Sequence, residues 1–275
     1  MQRHRPPAAL AAAPLLALCV AVPAHAADGY TVDTPPRYAA LGDSYAAGVA
    51  AGPYEQDSGD CHRSARAYPA LWAADHGATD VLAAACAGAT TADVQRDQLP
   101  KVGADTTVVT LTVGGNDLGF ADAAGSCLQP LTTDGRCDKA LDESERRLRE
   151  ELPDRLSALY DGVRAAAPAA RVVVTGYPHL LRTGTTCLIG TDARRQRFNA
   201  LTDGLDELIN RQAEARGFAF ADVRAPFEGH GVCAGAGREW ITGIVLTRLW
   251  ESFHPTSEGQ SLGYLPAVTA ATGPR

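Results

Sequence analysis

Short apolar segments alternate with longer amphipathic ones along this chain. Five segments of four to seven residues are apolar or rich in β-branched residues, at 38–41, 81–85, 107–113, 171–175 and 218–222. Such runs are typical of strands buried in a parallel sheet. Helical patterns occupy the intervals, at 67–76, at 141–167 with a break or kink near Pro153, at 193–216 and from Ser257 onward. This alternation predicts an α/β fold in which helices cover both faces of a parallel sheet.

The first 26 residues have the pattern of an export signal. Arg3 and Arg5 precede an apolar run at 8–22, and small residues surround a cleavage point just before Ala27. We therefore expect residues 1–26 to be a signal peptide and the mature protein to be secreted. The remainder is long enough for one well-buried α/β domain over residues 27–275, with no linker or repeat to divide it.

Charge and hydropathy exclude several classes of function. The net charge is −7, becomes two units more negative when the leader arginines are lost, and includes no basic run. Nucleic acid is therefore not an expected partner. The leader is too short for a stable membrane span, and no later stretch approaches the length that a span requires. A lipoprotein anchored through Cys19 is the competing interpretation, although Leu18 is bulkier than such a site usually takes. We expect a soluble monomer.

Six cysteines remain once Cys19 leaves with the leader. An even number in an exported chain favours three disulfides, whereas a metal site would require close pairs such as C-x-x-C, which the sequence lacks. Several pairings are possible, and the residues alone do not select one. Our working hypothesis joins neighbours in order: Cys61 with Cys86, Cys127 with Cys137, and Cys187 with Cys233.

Distinctive residues follow the first three predicted strands and precede the last helix. Ser44 follows in a Gly-Asp-Ser turn, Gly88 in a small-residue loop, Asn116 in a Gly-Gly-Asn-Asp turn, and His254 before a proline. Ligands of parallel α/β sheets bind at the carboxyl ends of the strands, where these loops lie. Each has an ordinary explanation by itself, because such dipeptides are common in turns and serine often caps a helix.

Together the four residues supply the parts of a serine ester hydrolase. A hydroxyl nucleophile requires a base, and the oxyanion of a tetrahedral intermediate requires hydrogen-bond donors. Ser44 is the candidate nucleophile and His254 the candidate base. The backbone N–H groups of Ser44 and Gly88 and the side-chain amide of Asn116 are the candidate oxyanion donors. Glycine at position 88 allows the backbone to approach a substrate closely. We expect neither a metal nor an organic cofactor.

The order Gly-Asp-Ser, Gly, Gly-x-Asn-Asp, His-Pro resembles that of the SGNH hydrolases, also called GDSL esterases and lipases, over nearly the whole mature chain. The cysteine pattern, with Tyr68-Pro69 after Arg63-Ser64, is similar to that of their secreted actinobacterial lipases and phospholipases. The resemblance implies a flavodoxin-like three-layer α/β/α sandwich and the roles just given to the four residues. It also implies three disulfides in sequential order.

The residue that orients His254 departs from the family pattern. The family usually has aspartate three residues before the histidine, and this chain has Glu251. Either the Glu251 carboxylate or the backbone carbonyl of Ser252 could hold the Nδ1 proton of His254 and set its tautomer. We favour the carbonyl, because the glutamate side chain is one methylene longer than aspartate and would place its carboxylate differently.

Other candidate residues are less convincing. Ser261 lies in a Gly-Gln-Ser-Leu-Gly sequence that matches G-x-S-x-G, but it begins a helix and no histidine follows it, so we exclude it as nucleophile. His62, beside Cys61, is a candidate for the wall of the cleft. His62, together with His76, His179 and His230, shows no metal-ligand spacing. We expect these four histidines to be surface or structural residues.

The sequence therefore predicts a hydrolase of small-molecule or lipid carboxylic esters that forms an acyl-enzyme at Ser44. Lipase or phospholipase activity is the preferred interpretation. A deacetylase of carbohydrate esters is the enzymatic alternative. A binding module that retains the scaffold without turnover is the alternative from another class. Acyl length and head group depend on loops around the cleft and are not decided by the sequence.

Overall fold

The computed structural model describes residues 1–2, 35–129 and 132–273 of the 275-residue chain. The expected leader, apart from its first two residues, lies outside the described residues. The expected cleavage point before Ala27 and the alternative lipid anchor at Cys19 lie outside them as well.

The described residues form one five-stranded parallel sheet in the order β2-β1-β3-β4-β5. Its strands are β1 Arg37–Gly42, β2 Asp80–Ala83, β3 Val108–Thr112, β4 Arg171–Thr175 and β5 Ala219–Ala221. All five predicted strands are confirmed, with small differences at their ends. β2 ends early because the chain bends away after Ala83, and the N–H groups of Ala84 and Ala85 both point to the carbonyl of Ala40.

Helices cover both faces of this sheet. They are α1 Ser44–Ala47, α2 Tyr68–Asp75, α3 Thr91–Asp93, α4 Gly115–Leu118, α5 Phe120–Cys127, α6 Asp134–Glu150, α7 Leu152–Ala166, α8 Asp192–Glu214 and α9 Leu265–Thr272. Tighter or wider helical turns occupy Gln56–Cys61, Val94–Gln98, Leu99–Lys101, Leu249–Glu251 and Gly259–Tyr264. Helices α2 and α9 pack on one face, and α7 and α8 on the other. The predicted three-layer α/β/α architecture is confirmed.

The helices differ from the sequence prediction most clearly in the part of the chain before α7. The segment predicted at 141–167 is two helices that meet at Glu151, and Pro153 lies in the first turn of α7, where its missing N–H costs no helical hydrogen bond. The expected break is thus confirmed, but α6 begins earlier, at Asp134. The prediction also missed α5, whose buried residues are small, and the short helices α1, α3 and α4.

Hydroxyl pairs, rather than apolar side chains alone, fill the face of the sheet beneath α2. Tyr38 pairs with Thr110 at 2.6 Å, and Tyr68 pairs with Thr112 at 2.8 Å. Thr112 also lies 2.7 Å from Thr175 on the neighbouring strand. Because each buried hydroxyl has a partner, this polar layer avoids the cost of unsatisfied groups and ties α2 to the ends of β3 and β4.

Three disulfides join described cysteines, in the sequential order that we expected. The pairs are Cys61–Cys86, Cys127–Cys137 and Cys187–Cys233. The first holds the loop after β2, and the last joins the loops after β4 and β5. Two of the three therefore cross-link loops at the carboxyl edge of the sheet.

We predict that the oxidised protein has no alkylatable thiol and that reduction lowers its melting temperature. Each closed loop restricts the unfolded chain and stabilises the fold by about 2–4 kcal/mol. Mass spectrometry after alkylation without denaturant measures the thiols, and thermal unfolding with and without reductant measures the stability. An oxidised sample carried through the same heating is the control. Three or more alkylated cysteines would contradict the prediction.

Candidate active site

A sharp turn after β1 places Ser44 at the carboxyl edge of the sheet. Gly42 has φ +129°, and a Cβ atom there would lie 2.1 Å from the carbonyl oxygen of Thr112, so only glycine fits. The next N–H, from Asp43, donates to that same carbonyl at 2.9 Å. The Asp43 carboxylate then caps α1 by accepting from the N–H of Tyr45 at 2.9 Å. Ser44 is consequently the first residue of a helix that begins directly after a strand.

Gln98 holds the same turn from the side where β2 has bent away. The pairing of β1 with β2 ends at Ala40 and Ala83. The buried side-chain amide of Gln98 takes the place of a neighbouring strand, because its oxygen accepts from the N–H of Gly42 and its nitrogen donates to the carbonyl of Gly42, both at 2.8 Å. Sequence reasoning missed Gln98, since nothing in the residues around it indicates a contact with a residue 56 positions away.

Ser44 and His254 are joined by a hydrogen bond although 210 residues separate them. The Oγ atom of Ser44 lies 2.7 Å from Nε2 of His254, and Nδ1 of His254 lies 3.0 Å from the carbonyl oxygen of Ser252. When Nδ1 carries the proton and donates to this carbonyl, Nε2 is left as an acceptor for the Ser44 hydroxyl. Desolvation by burial lowers the pKa of His254 to about 4, so the ring is neutral at pH 7 and able to take a proton.

The Glu251 carboxylate has other partners. Its Oε1 atom accepts from the hydroxyl of Tyr54 at 2.6 Å, and its Oε2 atom lies 3.1 Å from Nε of Arg248. Among the hydrogen bonds of the described residues there is none between this carboxylate and His254. Of the two groups considered for orienting the histidine, the Ser252 carbonyl is therefore the one bonded to the ring.

The backbone before His254 is held in an unusual conformation. Phe253 has φ +63°, a left-handed value that residues other than glycine adopt infrequently. The hydroxyl of Tyr45 donates to the Phe253 carbonyl at 2.7 Å, and Phe253 N and His254 O pair with the backbone of Thr242 at 3.0 and 2.9 Å. These contacts fix the turn that brings the Ser252 carbonyl to the imidazole.

Of the two other candidate oxyanion donors, Asn116 lines the same cavity as Ser44 and Gly88 does not. Asn116 lines the same cavity of about 580 Å³ as Ser44 and His254, and its Nδ2 atom donates to the carbonyl of Ala89 at 3.0 Å. One hydrogen of its amide remains for a ligand. Gly88, with φ +77°, directly precedes Ala89 but lines a neighbouring cavity of about 440 Å³. The structure thus brings Ser44, Asn116 and His254 into one cavity, whereas Gly88 is not among the residues that line it.

Tyr177 is a cavity residue that sequence reasoning missed. Its hydroxyl donates to the carboxylate of Asp43 at 2.5 Å and accepts from the N–H of Gly115 at 3.3 Å. It therefore connects the residue before Ser44 with the residue before Asn116. Desolvation by burial raises the pKa of Asp43 to about 7. A signal was present, because Gly-Tyr-Pro directly follows the fourth predicted strand, at the edge where ligands bind.

The rest of the cavity wall is mainly apolar. It is formed by α5, α8, the loop after β4 and the segment before His254. The large apolar residues on this wall include Phe120, Leu128, Leu180, Phe198, Ile244 and Phe253. The space beside Ser44 can therefore take a hydrophobic group of substantial size.

The other sequence candidates lie outside this cavity. Ser261 is in the wide turn Gly259–Tyr264 and is not among the cavity residues. His62 is not in the cavity wall; its ring stacks on Trp250 with centroids 3.8 Å apart. The remaining three histidines contact neighbouring groups: His76 stacks on Trp72, His179 pairs with Asp203, and His230 stacks on Trp240.

The described residues were compared with the requirements of a metal site and of a membrane span. No group of three or more histidine, cysteine, aspartate or glutamate side chains there has an arrangement that could hold a metal ion. No helix in the described ranges has both the length and the apolar character required to cross a membrane.

Residues 40–262 match the sequence profile of the GDSL-like Lipase/Acylhydrolase family. The chain therefore belongs to this family of ester hydrolases, as its motifs predicted. The predicted fold class is also confirmed, since the parallel sheet and its two helical layers are those of solved members.

Relatives of high similarity come from Streptomyces. The chain is 42% identical over 236 residues to a lipase of Streptomyces rimosus, covering 86% of each chain, and 41% identical over 246 residues to lipase 1 of Streptomyces coelicolor, covering 90% of this chain and 87% of that protein. The solved extracellular lipase of S. rimosus superimposes with a TM-score of 0.81 at 41% identity, covering 86% of this chain and 99% of that one. Phospholipase A1 of Streptomyces albidoflavus has the same TM-score and identity, with 85% and 98% covered.

Asn116→Ala is expected to lower kcat by roughly 100- to 1000-fold with little change in KM. This is the usual loss when one preorganised oxyanion donor is removed, because the donor acts on charge that develops in the transition state. Steady-state kinetics on a soluble ester measures both constants. Asn210→Ala, which truncates an amide on α8 outside the cavity, is the matched control. A defect confined to KM would place Asn116 in ground-state binding instead.

Glu251→Gln is expected to retain at least about a tenth of the wild-type kcat, because its carboxylate contacts Tyr54 and Arg248 and not the imidazole. A glutamine oxygen can still accept from Tyr54. Loss of a true acid partner costs about 10⁴ in kcat in a serine protease. His254→Ala is expected to remove activity, so it gives the lowest kcat that the assay can measure. A thousandfold fall for Glu251→Gln would restore the carboxylate as the orienting group.

Proposed function

We propose that this protein hydrolyses carboxylic esters of acyl chains, with Ser44 as the nucleophile and His254 as the general base. The chain is an ester hydrolase by its family. The observation that carries the assignment of roles is the 2.7 Å contact between Ser44 Oγ and His254 Nε2 inside a mainly apolar cavity. Its relatives named lipase and phospholipase A1 support an acyl ester as the substrate.

The reaction proceeds in two halves. In the first, Nε2 of His254 takes the hydroxyl proton as Ser44 Oγ attacks the ester carbonyl carbon, and the histidine then returns the proton to the departing alcohol. The oxyanion is stabilised by the N–H groups of Ser44 and Gly88 and the amide of Asn116. In the second half, His254 removes a proton from water as the water oxygen attacks the acyl carbon, and it returns that proton to Ser44 Oγ when the bond from Oγ to the acyl group breaks and the acid leaves. The Ser252 carbonyl accepts a hydrogen bond from Nδ1 of His254 in both halves and so keeps the Nδ1 proton in place. Because this carbonyl is neutral, it stabilises imidazolium less than a carboxylate would.

The apolar wall favours esters with more than a short acyl group. Each methylene that moves from water into such a pocket contributes about 0.8 kcal/mol, so a longer chain gains more from this site than an acetyl group does. A wall of aromatic and aliphatic side chains, Phe120 and Phe198 among them, offers little to a sugar hydroxyl. These features favour a lipase or phospholipase over a carbohydrate-ester deacetylase.

The proposal extends to where the protein acts. The signal-like segment at 1–26, the disulfides and a solved relative named as extracellular together support export of a single mature domain that begins near Ala27. The net charge of −7 supports activity without a nucleic-acid partner. We further propose that the mature protein acts as a monomer.

Ser44→Ala is expected to abolish both ester hydrolysis and labelling by a fluorophosphonate, since no other serine hydroxyl is bonded to His254 among the described residues. A panel of p-nitrophenyl esters from acetyl to palmitoyl, with a phosphatidylcholine assay beside it, measures turnover. We expect higher kcat/KM for medium or long acyl chains than for acetate.

Ser261→Ala is the matched control, because it truncates the serine of the second motif outside the cavity and should leave labelling intact. Normal labelling of Ser44→Ala would overturn the assignment of the nucleophile. A preference for acetyl esters would favour the deacetylase, and absence of turnover on every ester would favour the binding module.

A further inference from the structure

Large apolar side chains project into solvent at the mouth of the active-site cavity. Leu246 is 83% exposed and Leu249 is 64% exposed, yet both also line the cavity that contains Ser44. The adjacent Trp250 is 39% exposed. We call Leu246, Leu249 and Trp250 the apolar rim. Contiguous exposed apolar residues beside a binding cleft are characteristic of a surface that meets another body.

The rim is anchored from the protein side. The ring of Trp250 stacks on His62 with centroids 3.8 Å apart and planes 11° from parallel. The next residue, Glu251, is buried and bonds both to Tyr54 and to Arg248. Because Arg248, Trp250 and Glu251 are held by these contacts, the turn that carries Leu249 has a fixed position.

We propose that the apolar rim docks the protein onto the surface of aggregated neutral or zwitterionic lipid, and this inference rests on the proposed function. The rim is continuous with the cavity, so whatever covers the rim also covers the entrance to Ser44. A protein partner there would obstruct the ester. A lipid surface would instead supply it, with its acyl chains already against Leu246 and Leu249.

Charge indicates the type of lipid surface. The one cation within the rim segment, Arg248, is already paired with Glu251 at 3.1 Å, and the whole chain carries −7. Long-range attraction to anionic lipid is therefore weak, and insertion of apolar side chains has to supply the binding. Tryptophan suits this position, because its ring is amphipathic and favours the boundary between lipid and water.

The test measures binding in the Ser44→Ala protein, so that lipid is not consumed. Cosedimentation with phosphatidylcholine vesicles is compared between this protein and one that also carries Leu246→Gln and Leu249→Gln. We expect the rim substitutions to weaken partitioning by about tenfold or more, as the loss of two inserted leucines implies. Raising the salt concentration should leave the binding of the unmodified rim nearly unchanged.

Leu262→Gln in the same Ser44→Ala protein is the matched control. Leu262 is 55% exposed but lies on the turn Gly259–Tyr264, outside the cavity, so its substitution should leave vesicle binding intact. Equal losses at Leu262 and at the rim, or no loss at the rim, would overturn the inference. So would sedimentation showing that the rim substitutions dissociate a dimer, which would make the rim a contact between two copies.

The two proposals fail separately. If the wild-type protein hydrolyses soluble esters but Ser44→Ala does not bind vesicles, only the proposal that the apolar rim docks on lipid is rejected. If vesicle binding depends on the rim but the wild-type protein hydrolyses no ester, the hydrolase function is rejected. The argument that lipid at the cavity mouth supplies the substrate is then rejected too.

Discussion

The loops at the carboxyl edge of the sheet can act together only if their spacing is fixed, and the hydroxyl of Tyr177 ties three of them. It bonds to Asp43 after β1 and to Gly115 after β3, while Tyr177 itself follows β4. The next residues along the first two loops are Ser44 and Asn116. Without this hydroxyl, the buried carboxylate of Asp43 would lose its shortest bond, and leaving such a group unsatisfied is costly. The spacing of the proposed nucleophile and the proposed oxyanion donor thus depends on a residue to which we assign neither role.

The histidine side of the site is built on a different principle. His254 is oriented by a backbone carbonyl, so its geometry follows from the conformation of the turn rather than from one replaceable side chain. Tyr45 and Thr242 hold this turn, and Glu251 anchors its far end. The glutamate at the family's aspartate position therefore acts on the segment before His254 through its contacts with Tyr54 and Arg248, and not through the ring. A buried, neutral imidazole with a pKa lowered to about 4 is consistent with the absence of a partnering charge.

The strands, the shared cavity of Ser44, Asn116 and His254 and the disulfide order could be predicted because their signals are local or belong to a family pattern. Apolar runs mark buried strands, and the turn residues after them mark the binding edge. The ties between the loops could not be predicted. Gln98 bonds to Gly42 across 56 residues and Tyr177 to Asp43 across 134, and no periodicity in the sequence encodes such contacts. Helix α5 was missed for another reason, because it is short and its buried residues, Ala123, Ala124 and Cys127, are small.

The hydrogen bonds that fix the loops and the apolar wall of the cavity are made mostly by different residues, although Tyr45 and Tyr177 also line the cavity. Tyr45, Gln98 and Tyr177 hold the loops by hydrogen bonds to backbone or to Asp43, whereas the far wall of the cavity is made by α5, α8 and the segment before His254. Changes on that wall can alter volume and hydrophobicity without disturbing the contact between serine and histidine. This separation explains physically how one scaffold can serve esters with different acyl chains. It also explains why the rim, which lies on the substrate side, can remain exposed while the hydrogen-bonded residues behind it are buried.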